Sequence, residues 1–419
     1  MRSSGPLSET RPRALILAPE SPYPLIGGGA LRSASVLEFL TQHFEVDLIV
    51  FQQPGGPDPS DLIDHPHVGQ VHAIRLPFHS RDPVTKVVRN GIRVLKQRPP
   101  LIDRFSGFES QIAGFLQGRR YDLGVIEHFW CAHYVQVMEE HCARLVLDLH
   151  NVESVWHDRC AEADSRVGGP FLPLRLAHEV FRDACVELER RYLPRFSCVL
   201  TTSAADADQV RRISPGVRLS VYPNAVPLVE QPVYPETDTI AFSGSFDYEP
   251  NRTAVRYFRR EIWPMLRHRW PTLRWRLIGR HPGSIADLIA GDSRIECSGP
   301  IEDAVGELAR SKIAVVPLLS GSGTRLKIIE AWAAGRAVVS TTIGAEGLPV
   351  SPGANIVLAD GADAFSEAVC GLLRDPERRQ ALGAAGRSCY EQDLTWDSAW
   401  RRLAAALGSM GQVETGSFR

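Results

Sequence analysis

With 419 residues the chain is long enough for two to three domains, two of roughly 200 residues each being one division. Hydrophobic residues at 44% and charged residues at 23% match an ordinary globular chain and exclude a disordered, collagenous or coiled-coil protein. Forty-seven basic against 49 acidic side chains leave a net charge of -2, so no chain-wide basic field for nucleic acid exists and any anion must be bound locally.

Residues 1–13, polar with Arg2, Arg11 and Arg13, read as a flexible tail. The apolar run Ala14–Ala18 that follows is too short for a signal segment or a membrane span, and the expected compartment is the cytoplasm. Ala14–Ala18, Val46–Phe51, Leu123–Ile126, Leu145–Leu149 and Cys198–Thr202 have strand length, with amphipathic helical stretches such as Leu31–Gln42 and Leu176–Leu193 between them. The second half repeats the alternation, with strands expected at Thr239–Phe242, Trp275–Ile278, Arg294–Cys297, Ile313–Pro317, Ala337–Ser340 and Asn355–Leu358. The predicted fold class is α/β: two Rossmann-like, doubly wound parallel-sheet domains facing across a cleft. Domains are expected at 14–227 and 239–394. The Pro-rich, aperiodic segment 228–238 would link them, and a helix in 395–419 would pack back on the first domain. The eight cysteines form no C-x-x-C pair and read as reduced thiols.

The most informative segment runs from Val316 to Gly335, where a buried strand ends in a small-residue turn and passes directly into an amphipathic helix starting near Thr324. Unpaired N–H groups at such a helix start favour an anion. Gly321 and Gly323 allow close backbone approach, Ser322 and Thr324 offer hydroxyls, and Arg325 and Lys327 bring positive charge, so a diphosphate is the expected guest. Glu330, nearly two turns in, is placed to accept hydrogen bonds from ribose or sugar hydroxyls. Only four of the 47 basic residues are lysines, at 86, 96, 312 and 327, which singles out Lys327 as a compact point charge.

Gly27, Gly28 and Gly29 follow a strand and precede a helix, as a phosphate or sugar loop would. His128 and His150 should emerge at strand C-terminal ends, where open α/β sheets build their sites, with Glu127 and Glu153 as weaker neighbours. Asp206-Ala207-Asp208 follows Ser203 at capping-box spacing and reads as a helix start rather than a metal motif. No zinc-spaced Cys/His set or EF-hand loop occurs, and neither a metal nor a cofactor is expected. Residues 75–120 carry ten Arg or Lys against three Asp or Glu. Within them, 84–104 mix cations with valines and leucines, a candidate for peripheral contact with an anionic membrane face or else an ordinary solvated helix.

The 316–335 segment, together with Gly344-Ala345-Glu346-Gly347-Leu348, resembles the donor-site signature of GT-B glycosyltransferases of family four. Pro22-Tyr23-Pro24 with Gly27–Gly29 and Arg32, Asp148–Glu153, Tyr222-Pro223-Asn224 and Phe242–Asn251 extend the resemblance over most of the chain, and several of these look like bacterial sugar transferases of polysaccharide and exosortase-associated clusters. The resemblance implies a nucleoside-diphosphate sugar in the C-terminal domain, a saccharide or lipid-linked acceptor in the N-terminal domain, and transfer with retention. It implies Glu330 on the ribose, Gly321 to Thr324 around the phosphates, and His128 beside the donor sugar. His128, Lys327 and Glu330 are thus the expected catalytic set, Gly27–Gly29 and His150 the acceptor or phosphate loop, and Gly244, Ser245 and Arg280 further donor contacts. The chain departs from the family at Ser322, where a glutamate is usual, and in lacking Arg and Lys within Gly244–Asn251, a charge that Arg325, Lys327 and Arg280 would supply. Two rival readings share the fold: a nucleotide-sugar epimerase, and a nucleotide-sugar-binding protein that has lost catalysis. A Rossmann oxidoreductase is disfavoured because no G-x-G-x-x-G follows the first strand.

Overall fold

The computed structural model describes residues 11–80, 82–166, 172–301 and 303–410, so most of the expected N-terminal tail and the last nine residues lie outside it. Strands β1 (Arg13–Ala18), β2 (Glu45–Gln52), β3 (Val68–Arg75), β4 (Leu123–Glu127), β5 (Leu145–Leu149), β6 (Cys198–Thr201) and β7 (Leu219–Val221) form one sheet in the order β3-β2-β1-β4-β5-β6-β7. Strands β8 (Thr239–Ser243), β9 (Arg274–Ile278), β10 (Ile295–Ser298), β11 (Ile313–Val316), β12 (Ala337–Ser340) and β13 (Val357–Leu358) form a second in the order β10-β9-β8-β11-β12-β13. Every pairing is parallel. The strand order reverses on either side of β1 and of β8, so each sheet has a switch point at its first strand, where crossovers leave on opposite faces and open a crevice.

Buried parallel strands read as continuous apolar runs, which is why β1, β4, β5, β8 and β11 stand out in the sequence. Two strands were not expected, β3 and β7. Both are edge strands with half-exposed residues, and neither carries such a run. Helices cover both faces of each sheet, and the cores are separate: Trp263, Trp275 and Trp332 are fully buried in the C-terminal domain, while Phe51, Phe105 and Tyr134 fill one face of the N-terminal sheet.

The chain crosses between domains twice. Residues 227–238 run without regular structure, and the return passes through a parallel bridge between Val226 and Thr395. The helix Trp396–Gly408 then buries Ala399, Leu403, Ala406 and Leu407 against Val36, Leu37 and Phe39 of the N-terminal core, and Trp400 Nε1 donates to the Ser35 carbonyl at 3.0 Å. The last helix of the described residues therefore staples the second domain to the first.

Candidate functional site

The C-terminal ends of both sheets face a cleft of about 790 Å³. On the C-terminal wall, β11 ends at Val316 and the helix Leu326–Ala333 begins ten residues on, its first turn lining the cleft. It starts two residues later than the Thr324 expected from the sequence. Arg325 takes the N-cap position in extended conformation, without a side-chain cap, which leaves first-turn N–H groups for a ligand.

Lys327 is the cation of this wall. Its Nζ donates to Asn251 Oδ1 at 2.7 Å and lies 4.1 Å from the centre of the Phe242 ring. Burial, with the Arg325 charge adding to it and Glu330 opposing, lowers its pKa to about 7. Glu330, one turn further, accepts from Ser243 Oγ at 3.3 Å and is pushed up by burial against the opposing pull of Lys327. Gly244, at φ 153°, allows this packing: a Cβ there would stand 2.6 Å from Asn251 Nδ2 and 3.0 Å from Lys327 Nζ. Ser245 lines the cleft but donates to Asp247 Oδ1 at 2.7 Å.

Two side chains expected at the phosphates, Arg325 and Ser322, bond protein in this structure, whereas the Thr324 hydroxyl lines the cleft without a partner among the described residues. Arg325 does not extend toward a phosphate. Its guanidinium folds back onto the carbonyls of Ser322 and Gly323, two oxygens that the turn 321–324 leaves facing inward and that a charge-assisted donor satisfies. The hydroxyl of Ser322 donates across the domain boundary to the Val152 carbonyl at 3.4 Å, and the Thr324 N–H donates to Thr202 Oγ1 at 3.2 Å. Gly323 lies against the His150 carbonyl, where a Cβ would come within 2.6 Å. The turn 321–324 thus borders the cleft and also forms a contact that holds the domains together. Arg159 completes that contact, pairing with Glu346 at 2.5 and 2.9 Å and donating to the Gly321 carbonyl at 2.9 Å.

On the facing wall, Gly27 (φ 101°) precedes the helix Gly28–Thr41 and lies against Arg280, whose guanidinium would be 2.6 Å from a Cβ at that position. Arg280 comes from the segment after β9, so the structure brings Gly27 to Gly29, Arg280 and Lys327 to one cleft. A Cβ at Gly28 would touch Leu326 at 3.1 Å. A Cβ at Gly29 would collide with the Glu20 carboxylate, which lines the cleft and is pushed up by burial against the pull of Arg280 and His150. Glu20 escaped sequence reasoning because it sits in an irregular turn after β1 with no motif around it.

His128 and His150 sit at the ends of β4 and β5, their rings 3.5 Å apart and both lining the cleft. Their pKa values are shifted in opposite directions. His128, at φ 65°, stacks on Trp130 at 4.0 Å, and its Nδ1 is buried without a partner; burial and the charges of His150 and Arg32 hold it well below 6.5, so it is neutral. For His150, burial is outweighed by hydrogen bonds to Asp148 at 3.4 Å and Glu127 at 2.7 Å, and its pKa rises. Beneath it, Arg32 clamps Asp148 through two bonds of 2.5 and 2.7 Å, which hold that carboxylate below its usual range against the upward effect of burial. Glu127, Asp148 and His150 lie close enough to offer a cation three ligand atoms. Both Asp148 oxygens already accept from Arg32, which supplies the positive charge at that spot.

Two parallel-sheet domains with their strand ends facing across a cleft define the GT-B fold. Sucrose-phosphate synthase from Thermosynechococcus elongatus superposes with a TM-score of 0.71 at 18% identity, over 96% of this chain and 99% of that one. HepE of Anabaena, solved with UDP and glucose, gives 0.64 at 14% identity over 95% and 100%. TarM of S. aureus, solved with UDP and saccharides, gives 0.66 at 10% over 95% and 100%. Residues 237–375 match the family of glycosyl transferases group 1. A GDP-mannose-dependent monoacylated alpha-(1-6)-phosphatidylinositol monomannoside mannosyltransferase of Corynebacterium glutamicum is 31% identical over 141 residues, which is 31% of this chain and 37% of that protein. The chain thus has the GT-B fold, and its C-terminal domain is similar to the group 1 glycosyl transferases over residues 237–375.

Proposed function

We propose that the protein transfers a sugar from a nucleoside-diphosphate donor held by the C-terminal wall to an acceptor on the N-terminal wall, with retention of anomeric configuration. The observation that carries this reading is Lys327, a half-buried ammonium at the start of the Leu326–Ala333 helix that bonds Asn251 and, among the described residues, has no carboxylate in hydrogen-bond contact. Such a group is incomplete without an anion. A diphosphate beside it would receive the first-turn N–H groups, the Lys327 charge and, from the end of β9 on the same wall, Arg280.

The bond from the anomeric carbon to the diphosphate oxygen breaks, and negative charge collects on the departing group, where Lys327 and the helix start stabilise it. The acceptor hydroxyl oxygen bonds to the anomeric carbon from the face the diphosphate leaves, and its proton passes to a departing phosphate oxygen. Neutral His128, with an unpartnered Nδ1 in the cleft wall, is suited to hydrogen-bond a sugar hydroxyl, as a charged imidazolium beside an oxocarbenium centre would not be. Glu330 is suited to bind the ribose. The reading needs neither a metal nor a cofactor. Relatives with UDP or GDP-mannose in their names make UDP- and GDP-sugars the first donors to try.

The test is to incubate purified protein with such donors and membrane or saccharide extracts and to read the anomeric coupling of the product by NMR. Transfer with retention supports the proposal. An inverted product contradicts the same-face step, and an epimerised donor in the absence of acceptor contradicts transfer altogether.

A further inference from the structure

The helix Pro83–Leu95 is folded inside out. Val84, Val87, Val88, Ile92 and Leu95 recur every three to four positions and share one face, and that face points to solvent: Val84 and Val87 are 71% exposed and Leu95 85%. The inward stripe is polar. Arg93 is buried, its Nε bonded to Asp103 at 2.9 Å, and Arg89 donates to the Ser80 carbonyl at 3.2 Å. A surface helix of a globular protein normally turns its apolar stripe to the core, and a contiguous exposed stripe marks a contact surface.

The charge around the stripe indicates what covers it. Residues 83–104 hold six Arg or Lys and a single acid, Asp103, which Arg93 and Arg98 already share. An apolar stripe bordered by cations complements the headgroup boundary of an anionic bilayer, whereas an apolar protein partner would leave the cations without counter-charge. The surface also reaches the cleft directly. The short helix Pro100–Arg104 follows, with Leu101 exposed, and leads into Phe105 in the cleft wall, while Arg104 Nη2 donates at 2.7 Å to Gln53, another residue of that wall.

We infer that residues 84–104 seat the N-terminal domain on an anionic membrane surface, so that an acceptor carried on a lipid enters the cleft past Phe105 and Gln53. The acceptor clause rests on the transfer reading above; the docking itself does not. Among the described residues no helix is long and apolar enough to cross a membrane, so the contact is peripheral.

Co-sedimentation of the full chain with vesicles tests it, using phosphatidylcholine alone and equal parts phosphatidylcholine and phosphatidylglycerol. The protein should pellet with the anionic vesicles and about tenfold less with the neutral ones, and the difference should shrink in high salt. Val87→Glu with Leu95→Glu should abolish pelleting, and Lys96→Glu with Arg98→Glu should weaken it, both with unchanged melting temperature and unchanged thermal stabilisation by UDP or GDP. Absence of binding to anionic vesicles, binding indifferent to both variants, or a dimer that Val87→Glu dissolves would overturn the inference. In the unmutated protein, nucleotide stabilisation without vesicle binding would sink the docking alone, and vesicle binding without nucleotide stabilisation would sink the transfer reading alone.

Discussion

The two walls of the cleft treat buried charge in opposite ways. On the N-terminal wall Arg32, Asp148, His150 and Glu127 form a paired network, each cation facing a carboxylate within hydrogen-bond distance. On the C-terminal wall Lys327 has an amide oxygen and an aromatic face, and Glu330 a long bond to one serine. A charge that is already neutralised serves the fold, and one kept waiting serves a ligand. The paired wall is a platform that sets the tilt and protonation of the two histidines, and the unpaired wall is the one that takes up an anion.

If that contrast holds, the largest effect on stability falls on the wall without the phosphate. Asp148→Ala leaves Arg32 and His150 buried and unbalanced, and should cost about 3–5 kcal/mol in denaturant unfolding. A loss under about 1 kcal/mol would show that the network carries no such weight. Lys327→Ala should do the reverse: transfer slows roughly a hundredfold, about 3 kcal/mol of barrier, while the melting temperature holds or rises. Because folding lowers the pKa of Lys327 from its unfolded value to about 7, the cost of its charge is complete below pH 7 and fades as pH climbs toward the unfolded value. The melting-temperature advantage of Lys327→Met over the wild type should therefore be greater at pH 6 than at pH 9.

Smaller effects sharpen the comparison. Glu330→Gln should weaken nucleoside-diphosphate binding about tenfold by calorimetry, since a carboxylate accepting from ribose is replaced by a weaker acceptor. An anion holds Lys327 in its charged form, so affinity should fall about fiftyfold as pH rises from 7 to 9. In Lys327→Met the same titration should be flat. Arg159→Ala, which removes a partly exposed pair with Glu346 between the domains, should cost less than about 1 kcal/mol and leave nucleotide affinity unaltered.

Much of the fold was legible in the sequence because buried parallel strands are apolar on both faces and need no partner to be recognised. The strands that escaped, β3 and β7, lie at sheet edges with half-wet residues. In the site, the glycines at 27–29 and the strand-end histidines follow from local rules: chain reversal after a strand, and position in an open sheet. What could not be read is pairing at a distance. Arg32 and Asp148 are 116 residues apart, and Glu20 is placed by Gly29 and Arg280 rather than by its neighbours in sequence. The turn 321–324 taught a related lesson. Its small polar residues suggested phosphate contacts, yet Ser322 and the Thr324 amide bond the other domain, a role that no residue within the turn could disclose.

A structure of the protein saturated with UDP or GDP tests the central claim most directly. The diphosphate should lie at the start of the Leu326–Ala333 helix, within hydrogen-bond reach of Lys327 Nζ and facing Gly27–Gly29 across the cleft. A nucleotide bound with its phosphates away from Lys327, or a cleft left empty at saturation, would contradict it.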